Sequence, residues 1–269
     1  MHKTIPRPLH SVKYKMLAML TGTLVPMAVF ILCYNIYMLN FVKDKVAQSG
    51  AATLNLYCRE FGMQLEQIEN EMTDTLVSDN NFKTLAYTAA PTPEEAHFLT
   101  YDLCQKYKSR ISRMNTISAC MIYSGKNDLL RSIYGAGLTG VELKESLENY
   151  FKDLLAEGKS VIKNSWTCHI QDGQAFLYRV ARYQDTFAMS VIRLADAPLL
   201  QDMKTGSSER ILFYSGEDAA PAALTGADFI DENGIELKGG EGEYVTGKRS
   251  KYLVIPAKLE GTDISMAYL

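Results

Sequence analysis

The sequence predicts an α+β fold in which an N-terminal membrane helix and a long helical hairpin precede two mixed or antiparallel sheet subdomains. Residues 16–42 form a run of 27 residues without a formal charge. Apolar residues then recur every three or four positions over residues 54–76, as on one face of a helix. Beyond residue 116 the pattern changes to alternation with β-branched and aromatic residues, which is typical of strands.

The composition is that of an ordinary globular protein. The chain has 269 residues, of which 47% are hydrophobic and 22% are charged, and its formal net charge is −3. This length is enough for one large or two small domains. Nucleic-acid-binding proteins usually present a basic face, so the mildly acidic balance predicts no nucleic-acid partner.

The uncharged run Met16–Val42 is predicted to cross a membrane. A helix needs about 20 apolar residues to span the hydrocarbon core, so 27 residues suffice even with tilt. Pro26 near its centre is tolerated in membrane helices. A cleaved signal peptide is the alternative, but its apolar core would be only about 7–15 residues long. The helical pattern also continues directly beyond the run, which favours a retained span.

The flanking charges predict the orientation. Residues 1–15 contain four Lys or Arg residues and no Asp or Glu, whereas the far side opens with the balanced cluster Lys43-Asp44-Lys45. Positive charge is retained on the cytoplasmic side of a membrane. We therefore expect a single-pass protein of the cell membrane. Its cytoplasmic tail would be residues 1–15, its span residues 16–42, and its extracellular domain would begin at residue 43.

Residues 43–115 are predicted to form an extracytoplasmic helical hairpin. The first helix continues from the span and ends at Ser78–Asn81, and the second covers Glu94–Met114 after the N-terminal signals Thr92 and Pro93. The first helix carries an apolar seam with heptad-like spacing. Its members are Leu54, Cys58, Phe61, Leu65, Ile68 and Met72.

The lower part of this seam predicts a dimer. Cys58 lies about 40 Å from the hairpin turn, whereas the second helix reaches back only about 30 Å. Leu54, Cys58 and Phe61 therefore lack a partner from that helix, and we expect a parallel homodimer through them. Coverage by the chain's own smaller sheet is the alternative. Four cysteines lie in the outer part of the chain: Cys58, Cys104, Cys120 and Cys168. An even number is compatible with disulfides, and free thiols are the alternative.

Residues 116–204 are predicted to form the larger sheet subdomain. The helix Glu142–Ala156 interrupts its strands, and a short helix is expected at Ala197–Met203. The predicted strands are Thr116–Tyr123, Leu129–Tyr134, Ser160–Ile170, Ala175–Tyr183 and Phe187–Leu194.

Residues 205–269 are predicted to form a smaller, β-rich subdomain with Gly-rich turns between short strands. These strands are Arg210–Tyr214, Gly234–Leu237, Glu243–Thr246, Tyr252–Leu259 and Asp263–Tyr268.

Several short segments resemble the front end of bacterial YesM-like sensor histidine kinases. They are Ser11–Leu17, Pro26, Tyr34-Asn35, Thr53–Tyr57, Gln67–Glu69, Trp166, Phe176–Arg179, Tyr252–Ile255 and Ile264–Leu269. The resemblance implies a double Cache domain, with PAS-like subdomains that are membrane-distal (116–204) and membrane-proximal (205–269). Similar outer domains also precede AraC-type DNA-binding regulators and chemoreceptors.

The sequence departs from this family in its output region. It contains no second span, HAMP linker, phosphoacceptor histidine block or ATP-binding boxes, so kinase activity is not assigned to it. We expect the extracytoplasmic ligand-sensing portion of a two-component receptor. The alternative is a membrane-tethered small-molecule binding or interaction module without kinase output.

Polar and aromatic residues on the larger sheet are the candidate ligand-binding set. They are Tyr123, Trp166, His169, Tyr178, Arg179 and Arg182. An aromatic and basic surface suits a small anionic or zwitterionic extracellular molecule. Arg179 and Arg182 have opposite parity, so a regular strand directs only one of them to the pocket. The alternative is that Trp166 belongs to the core and both arginines are solvated. The R-x-W-Y-type signature of amino-acid-sensing relatives is absent, which disfavours an amino acid.

The remaining motifs predict no catalytic residue, metal site or cofactor. Gly135–Gly140 matches G-x-G-x-x-G, but a dinucleotide site needs a parallel βαβ unit, and hairpins follow here. No HExxH, C-x-x-C or G-x-S-x-G occurs. An extracytoplasmic enzyme is therefore unsupported.

Overall fold

The computed structural model describes residues 12–87, 92–111, 116–156, 165–197, 210–215, 222–235, 243–248 and 251–269. The chain divides into two compact units, Met1–Ser49 and Gly50–Leu269, with the boundary inside the first helix. The helices are α1 (Val12–Ser78), α2 (Asn80–Tyr87), α3 (Pro93–Ile111), α4 (Val141–Ala156) and α5 (Ala227–Asn233), with a 3₁₀ turn at Leu194–Asp196.

The first unit contains the apolar part of α1. Within the described residues, α1 is the one helix long and apolar enough to cross a membrane. Its large apolar side chains, such as Phe30 and Leu32, are exposed, and Pro26 is accommodated within the helix. A helix that is apolar on all sides is stable in lipid rather than in water. These features are consistent with a single-pass membrane protein.

In the second unit, α1 buries the apolar seam that the sequence predicts. The buried apolar residues are Leu54, Phe61, Leu65, Ile68, Met72 and Leu76. The helix ends at Ser78, and the Asp79 carboxylate accepts a hydrogen bond of 2.8 Å from the backbone N–H of Asn81 in the first turn of α2. The sequence analysis did not predict α2, which buries Phe82 and Leu85.

Helix α3 begins where its capping residues predict. The Glu95 carboxylate accepts a hydrogen bond of 3.2 Å from the backbone N–H of Thr92, and the Thr92 hydroxyl accepts one of 3.4 Å from the N–H of Glu95. This reciprocal arrangement is a capping box. The helix extends to Ile111, and residues 112–114 of the predicted helix lie outside the described residues.

The first sheet has five antiparallel strands in the order β2-β1-β5-β4-β3. One of its faces packs on α1 and the other on α4. Residues 160–164 of a predicted strand lie outside the described residues, and β3 begins after Trp166. The strands are β1 (Ala119–Ser124), β2 (Leu129–Tyr134), β3 (Thr167–Gln171), β4 (Gln174–Tyr183) and β5 (Thr186–Arg193).

The second sheet also has five antiparallel strands, in the order β7-β6-β10-β9-β8. One prediction here is wrong: Gly234 does not begin a strand but ends α5 with φ +62°, a conformation that glycine adopts readily. Residues 236–237 lie outside the described residues. The strands are β6 (Ile211–Ser215), β7 (Ala222–Ala223), β8 (Glu243–Thr246), β9 (Lys251–Lys258) and β10 (Ile264–Tyr268).

The second sheet covers the seam for which the sequence predicted a dimer. Leu54 and Phe61 are buried, and the ring of Phe61 lies 5.5 Å from that of Phe213 in β6. The Cys58 sulfur lies 3.5 Å from that of Met266 in β10. The expectation that this part of the seam lacks a partner within the chain is wrong, because sheet strands far along the sequence return to it. All five cysteines are free thiols.

Candidate functional site

The six candidate ligand-binding residues lie on two different faces of the first sheet. Side chains alternate along a strand, and directly paired residues share a face. Arg182 pairs with Phe187 on the side of α4, whereas Arg179 pairs with Ser190 on the side of α1. Tyr123, His169 and Tyr178 join Arg182 on the α4 side, and Trp166 joins Arg179 on the α1 side.

On the α4 side, His169 and Tyr178 meet a residue that the candidate set did not include. The His169 ring stacks on that of Tyr150 from α4, with centroids 3.6 Å apart and an interplanar angle of 13°. The Tyr150 hydroxyl donates to the Tyr178 hydroxyl at 2.9 Å. We call Tyr150, His169 and Tyr178 the aromatic cluster. The position of Tyr150 on the apolar face of the amphipathic helix was its signal in the sequence.

Tyr123 and Arg182 lie at another place on the same face. Both contact Phe187: the Tyr123 ring centroid is 6.3 Å away and the Arg182 guanidinium carbon 5.5 Å away. Burial raises the pKa of Tyr123, as does its hydrogen bond to Asp128. Arg182 is four residues from Tyr178 along β4, about 13 Å in a strand. The candidate residues of this face therefore form two groups rather than one pocket.

Arg179 faces α1 and is paired there. It is 5% exposed, and its Nη2 lies 2.5 Å from Oε1 of Glu69. Buried cations usually need such a partner, because burial otherwise disfavours their charge. Arg179 is therefore neither solvated nor placed beside the aromatic cluster, and it connects the first sheet to α1.

Trp166 joins the two sheets. Its backbone N–H donates to the carbonyl of Gly261 at 3.2 Å, and it forms a parallel bridge with Thr262 in the turn between β9 and β10. The neighbouring amide of Cys168 donates to the Asp263 carboxylate at 2.9 Å. The side chain of Trp166 is buried with the α1 seam, so it belongs to the core.

A cleft of about 690 Å³ lies beside Trp166, between α1 and the β9–β10 turn. Its volume falls within the usual range of roughly 300–1,000 Å³ for small-molecule sites. The sequence analysis did not predict this cleft, because its walls come from three distant segments. Its aromatic and charged lining residues are Arg59, Glu66, Glu69, Trp166, Lys258 and Glu260.

Comparisons with known proteins show the fold. No protein-family model matches the chain, and no curated protein sequence does. Among solved structures, the ligand-binding domain of the Pseudomonas aeruginosa PAO1 amino acid chemoreceptor PctC, in complex with GABA, matches at 13% identity and a TM-score of 0.50. The match covers 83% of this chain and 99% of that one. The chain thus has the α+β fold of a bacterial chemoreceptor sensory domain.

A second solved structure is more distant. The sensory domain of the Campylobacter jejuni chemoreceptor Tlp3 (CcmL) matches at 10% identity with a TM-score of 0.44. The match covers 86% of this chain and 97% of that one.

The glycine motif at residues 135–140 connects β2 to α4. Arg193 donates to the carbonyl of Gly137 at 3.1 Å and forms an ion pair with Asp196, which holds this loop against the end of β5. Because β2 is the antiparallel edge strand of its sheet, the motif lies outside a parallel βαβ unit. Within the described residues, no group of three or more His, Cys, Asp or Glu side chains is placed to hold a metal ion.

Proposed function

We propose that this chain is the extracytoplasmic ligand-sensing portion of a membrane signalling receptor. The observation that carries the proposal is the double role of α1, which includes the apolar segment and also supplies core residues to both sheets. Leu177 and Ile192 of the first sheet and Phe213 and Met266 of the second share one core with the α1 seam. A rearrangement in either sheet therefore changes the packing of the helix that leads to the membrane.

The fold supports this proposal. The solved domain that it resembles is the ligand-binding part of a chemoreceptor. In our proposal the two five-stranded sheets are the PAS-like halves of a double Cache domain, with residues 116–204 membrane-distal and 205–269 membrane-proximal. The YesM-like sequence segments favour a two-component sensor kinase as the full receptor.

The ligand surface that we favour is the α4 side of the first sheet at the aromatic cluster. His169 and Tyr178 come from adjacent strands and Tyr150 from the covering helix, so a ligand that displaced the Tyr150 ring would move α4 relative to the sheet. Imidazole and phenol groups bind the polar parts of a small anionic or zwitterionic molecule, while Phe176 beneath them is apolar.

Orientation and assembly complete the proposal. The basic tail favours a cytoplasmic position for residues 1–15 and an extracellular position for the sheets. A parallel homodimer needs a face of α1 other than Leu54, Cys58 and Phe61. Leu56 and Met63 provide one, because they are exposed and seven residues apart, the spacing of a coiled-coil seam.

The test is a ligand screen on the full chain in lipid nanodiscs. A molecule that binds only the folded state raises the melting temperature as its concentration increases. We expect a small carboxylate or zwitterion to do so, and His169→Ala to reduce the shift. His97→Ala, which removes an exposed histidine on α3, is the matched control and should keep it. A shift of the same size in the unsubstituted chain, in His169→Ala and in Tyr150→Ala would refute this ligand surface.

The alternative is a membrane-tethered binding module without kinase output. It makes the same ligand prediction, so the coding sequence distinguishes the two. A second span and a HAMP-like stretch beyond codon 269 support the receptor, and an in-frame stop there supports the module.

A further inference from the structure

We infer that the cleft between α1, Trp166 and the β9–β10 turn is a second ligand site, for a small dipolar molecule that carries both an anionic acceptor group and an ammonium group. This site is separate from the aromatic cluster, since the two lie on opposite faces of the first sheet. Its location and its class of ligand rest on three observations.

The first observation is an unsatisfied donor. Trp166 is 3% exposed, and its indole N–H has no hydrogen-bond acceptor among the described residues. Buried polar groups are almost always hydrogen-bonded in native proteins. Indole is a donor only, so the missing group must be an acceptor. Trp166 lines the cleft but its Nε1 is buried, so a carboxylate oxygen of an occupant reaches this donor when the indole ring turns towards the cleft.

The second observation is the charge of the two walls. The α1 wall contributes Arg59 and Glu66, and the wall formed by β9 and its turn contributes Lys258 and Glu260. Each wall thus has one cation and at least one carboxylate. A ligand of a single sign would meet one attractive and one repulsive charge on each wall, whereas a dipolar ligand can place an opposite charge beside both the cation and the carboxylate. The further carboxylate of the cleft, Glu69, is bound to Arg179.

The third observation is the apolar part of the lining. Met63 and Leu65 from α1 and the indole of Trp166 complete the cleft. A methylene chain between the two charged ends of a ligand would contact these groups, as in other small-molecule sites. A short ω-amino acid therefore matches the donor, the charges and the apolar surface together.

The position of the cleft gives its occupant a structural consequence. Trp166 is bonded through its backbone to the β9–β10 turn, and the opposite wall is α1. A ligand that contacts both walls would restrict the motion of Trp166 and the β9–β10 turn relative to α1. Binding at this site should therefore reduce hydrogen exchange of the Trp166 and Cys168 amides.

The test uses the single tryptophan of the chain. The full chain, labelled with ¹⁵N only at the indole of tryptophan, gives one indole signal in lipid nanodiscs. We expect 5-aminopentanoate at millimolar concentration to shift this signal saturably, and pentanoate and pentylamine, which have the same chain length, to leave it unchanged. No response to 5-aminopentanoate overturns the site, and an equal response to either single-charge analogue overturns its ligand class.

Variants separate this site from the aromatic cluster and from non-specific binding. Glu66→Gln and Lys258→Gln should each weaken the response about tenfold, as expected for the loss of one charged contact. Glu60→Gln removes an exposed carboxylate of α1 outside the cleft and should change nothing. His169→Ala should also leave the indole response intact. A response that is lost in His169→Ala and kept in Glu66→Gln would refute the cleft as the binding site.

Discussion

Arg179 of β4 and Glu69 of α1, which are 110 residues apart, form an ion pair that links the first sheet to the helix containing the apolar segment. Arg179 is 5% exposed and Glu69 is 41% exposed, so the cation is buried and the carboxylate reaches solvent at the edge of the cleft. Loss of the ion pair therefore has a different cost for each of the two charged groups. Glu69 without Arg179 remains hydrated, but Arg179 without Glu69 keeps a buried charge.

This asymmetry predicts the stability of Glu69→Ala. Removal of the carboxylate leaves the buried guanidinium without this partner, and we expect the free energy of unfolding to fall by about 1–3 kcal/mol. Glu66→Ala is the matched control on the same helix, because Glu66 is exposed, and its effect should stay within about 0.5 kcal/mol. Denaturant unfolding of the full chain measures both. Equal effects of the two changes would contradict the structural role of the pair.

Phe61→Ala tests the internal position of the lower seam. The Phe61 ring is buried against Phe213, so its truncation leaves a cavity and should cost about 3–5 kcal/mol. If the seam is internal, this loss is independent of protein concentration. Leu56→Ala, on the exposed side of the same helix, should cost little at dilution. A loss in Phe61→Ala that disappears when the protein is concentrated would show that another copy of the chain covers the seam.

Much of the fold follows from local sequence patterns. The β2 bounds agree with the prediction, and α4 begins one residue before it, because periodicity, Gly-rich turns and β-branched residues determine these elements locally. The capping residues likewise located the start of α3. The sequence analysis missed helix α2 and the helix α5 that ends at Gly234. Each is short, and such helices are stabilised by tertiary packing rather than by a long periodic pattern.

The site was less predictable than the fold. Strand alternation separates Arg179 from Arg182, as the sequence analysis stated, but it cannot show which helix covers which face. The position of Tyr150 beside His169 depends on how α4 lies on the sheet. Likewise, the cleft exists because the β9–β10 turn approaches α1 across about 200 residues of sequence. Such long-range packing leaves no local signal.

Buried thiols should make stability fall in alkaline solution. Burial raises the pKa of Cys120 to about 12 from an ordinary value of 9.0. Above pH 9 the unfolded chain ionises this thiol while the folded chain does not, so stability that is full below pH 9 is lost as the pH rises towards 12. Cys120→Ala removes this contribution, and its unfolding free energy should fall less steeply over the same interval. Identical slopes for the two proteins would contradict the burial of this thiol.

The charge of the N-terminal tail predicts that the sheets lie outside the cell. Lys126 is exposed in the turn between β1 and β2, so a cysteine placed there by Lys126→Cys should react with a membrane-impermeant maleimide on intact cells. The four thiols outside the apolar segment react slowly, because burial raises the pKa of Cys58 and Cys104 to about 11 and that of Cys120 and Cys168 to about 12. The unsubstituted chain is the control for their background. Labelling of Lys126→Cys only after lysis would reverse the proposed orientation.

Cross-linking distinguishes the two faces of α1 as dimer contacts. Cys58 points at Met266 of its own chain, with the two sulfurs 3.5 Å apart, and burial raises its pKa to about 11. Mild oxidation of membranes should therefore yield no dimer through Cys58. Met63→Cys and Leu56→Cys place thiols on the exposed face, and at least one of them should give a disulfide-linked dimer that dithiothreitol reverses. Asn55→Cys, also exposed on α1 but turned about 100° around the helix from Leu56, is the control and should cross-link more slowly. A dimer that forms in the unsubstituted chain and disappears in Cys58→Ser would support the original dimer contact through Leu54, Cys58 and Phe61. Two chains could meet at that contact only if the second sheet moved away from α1.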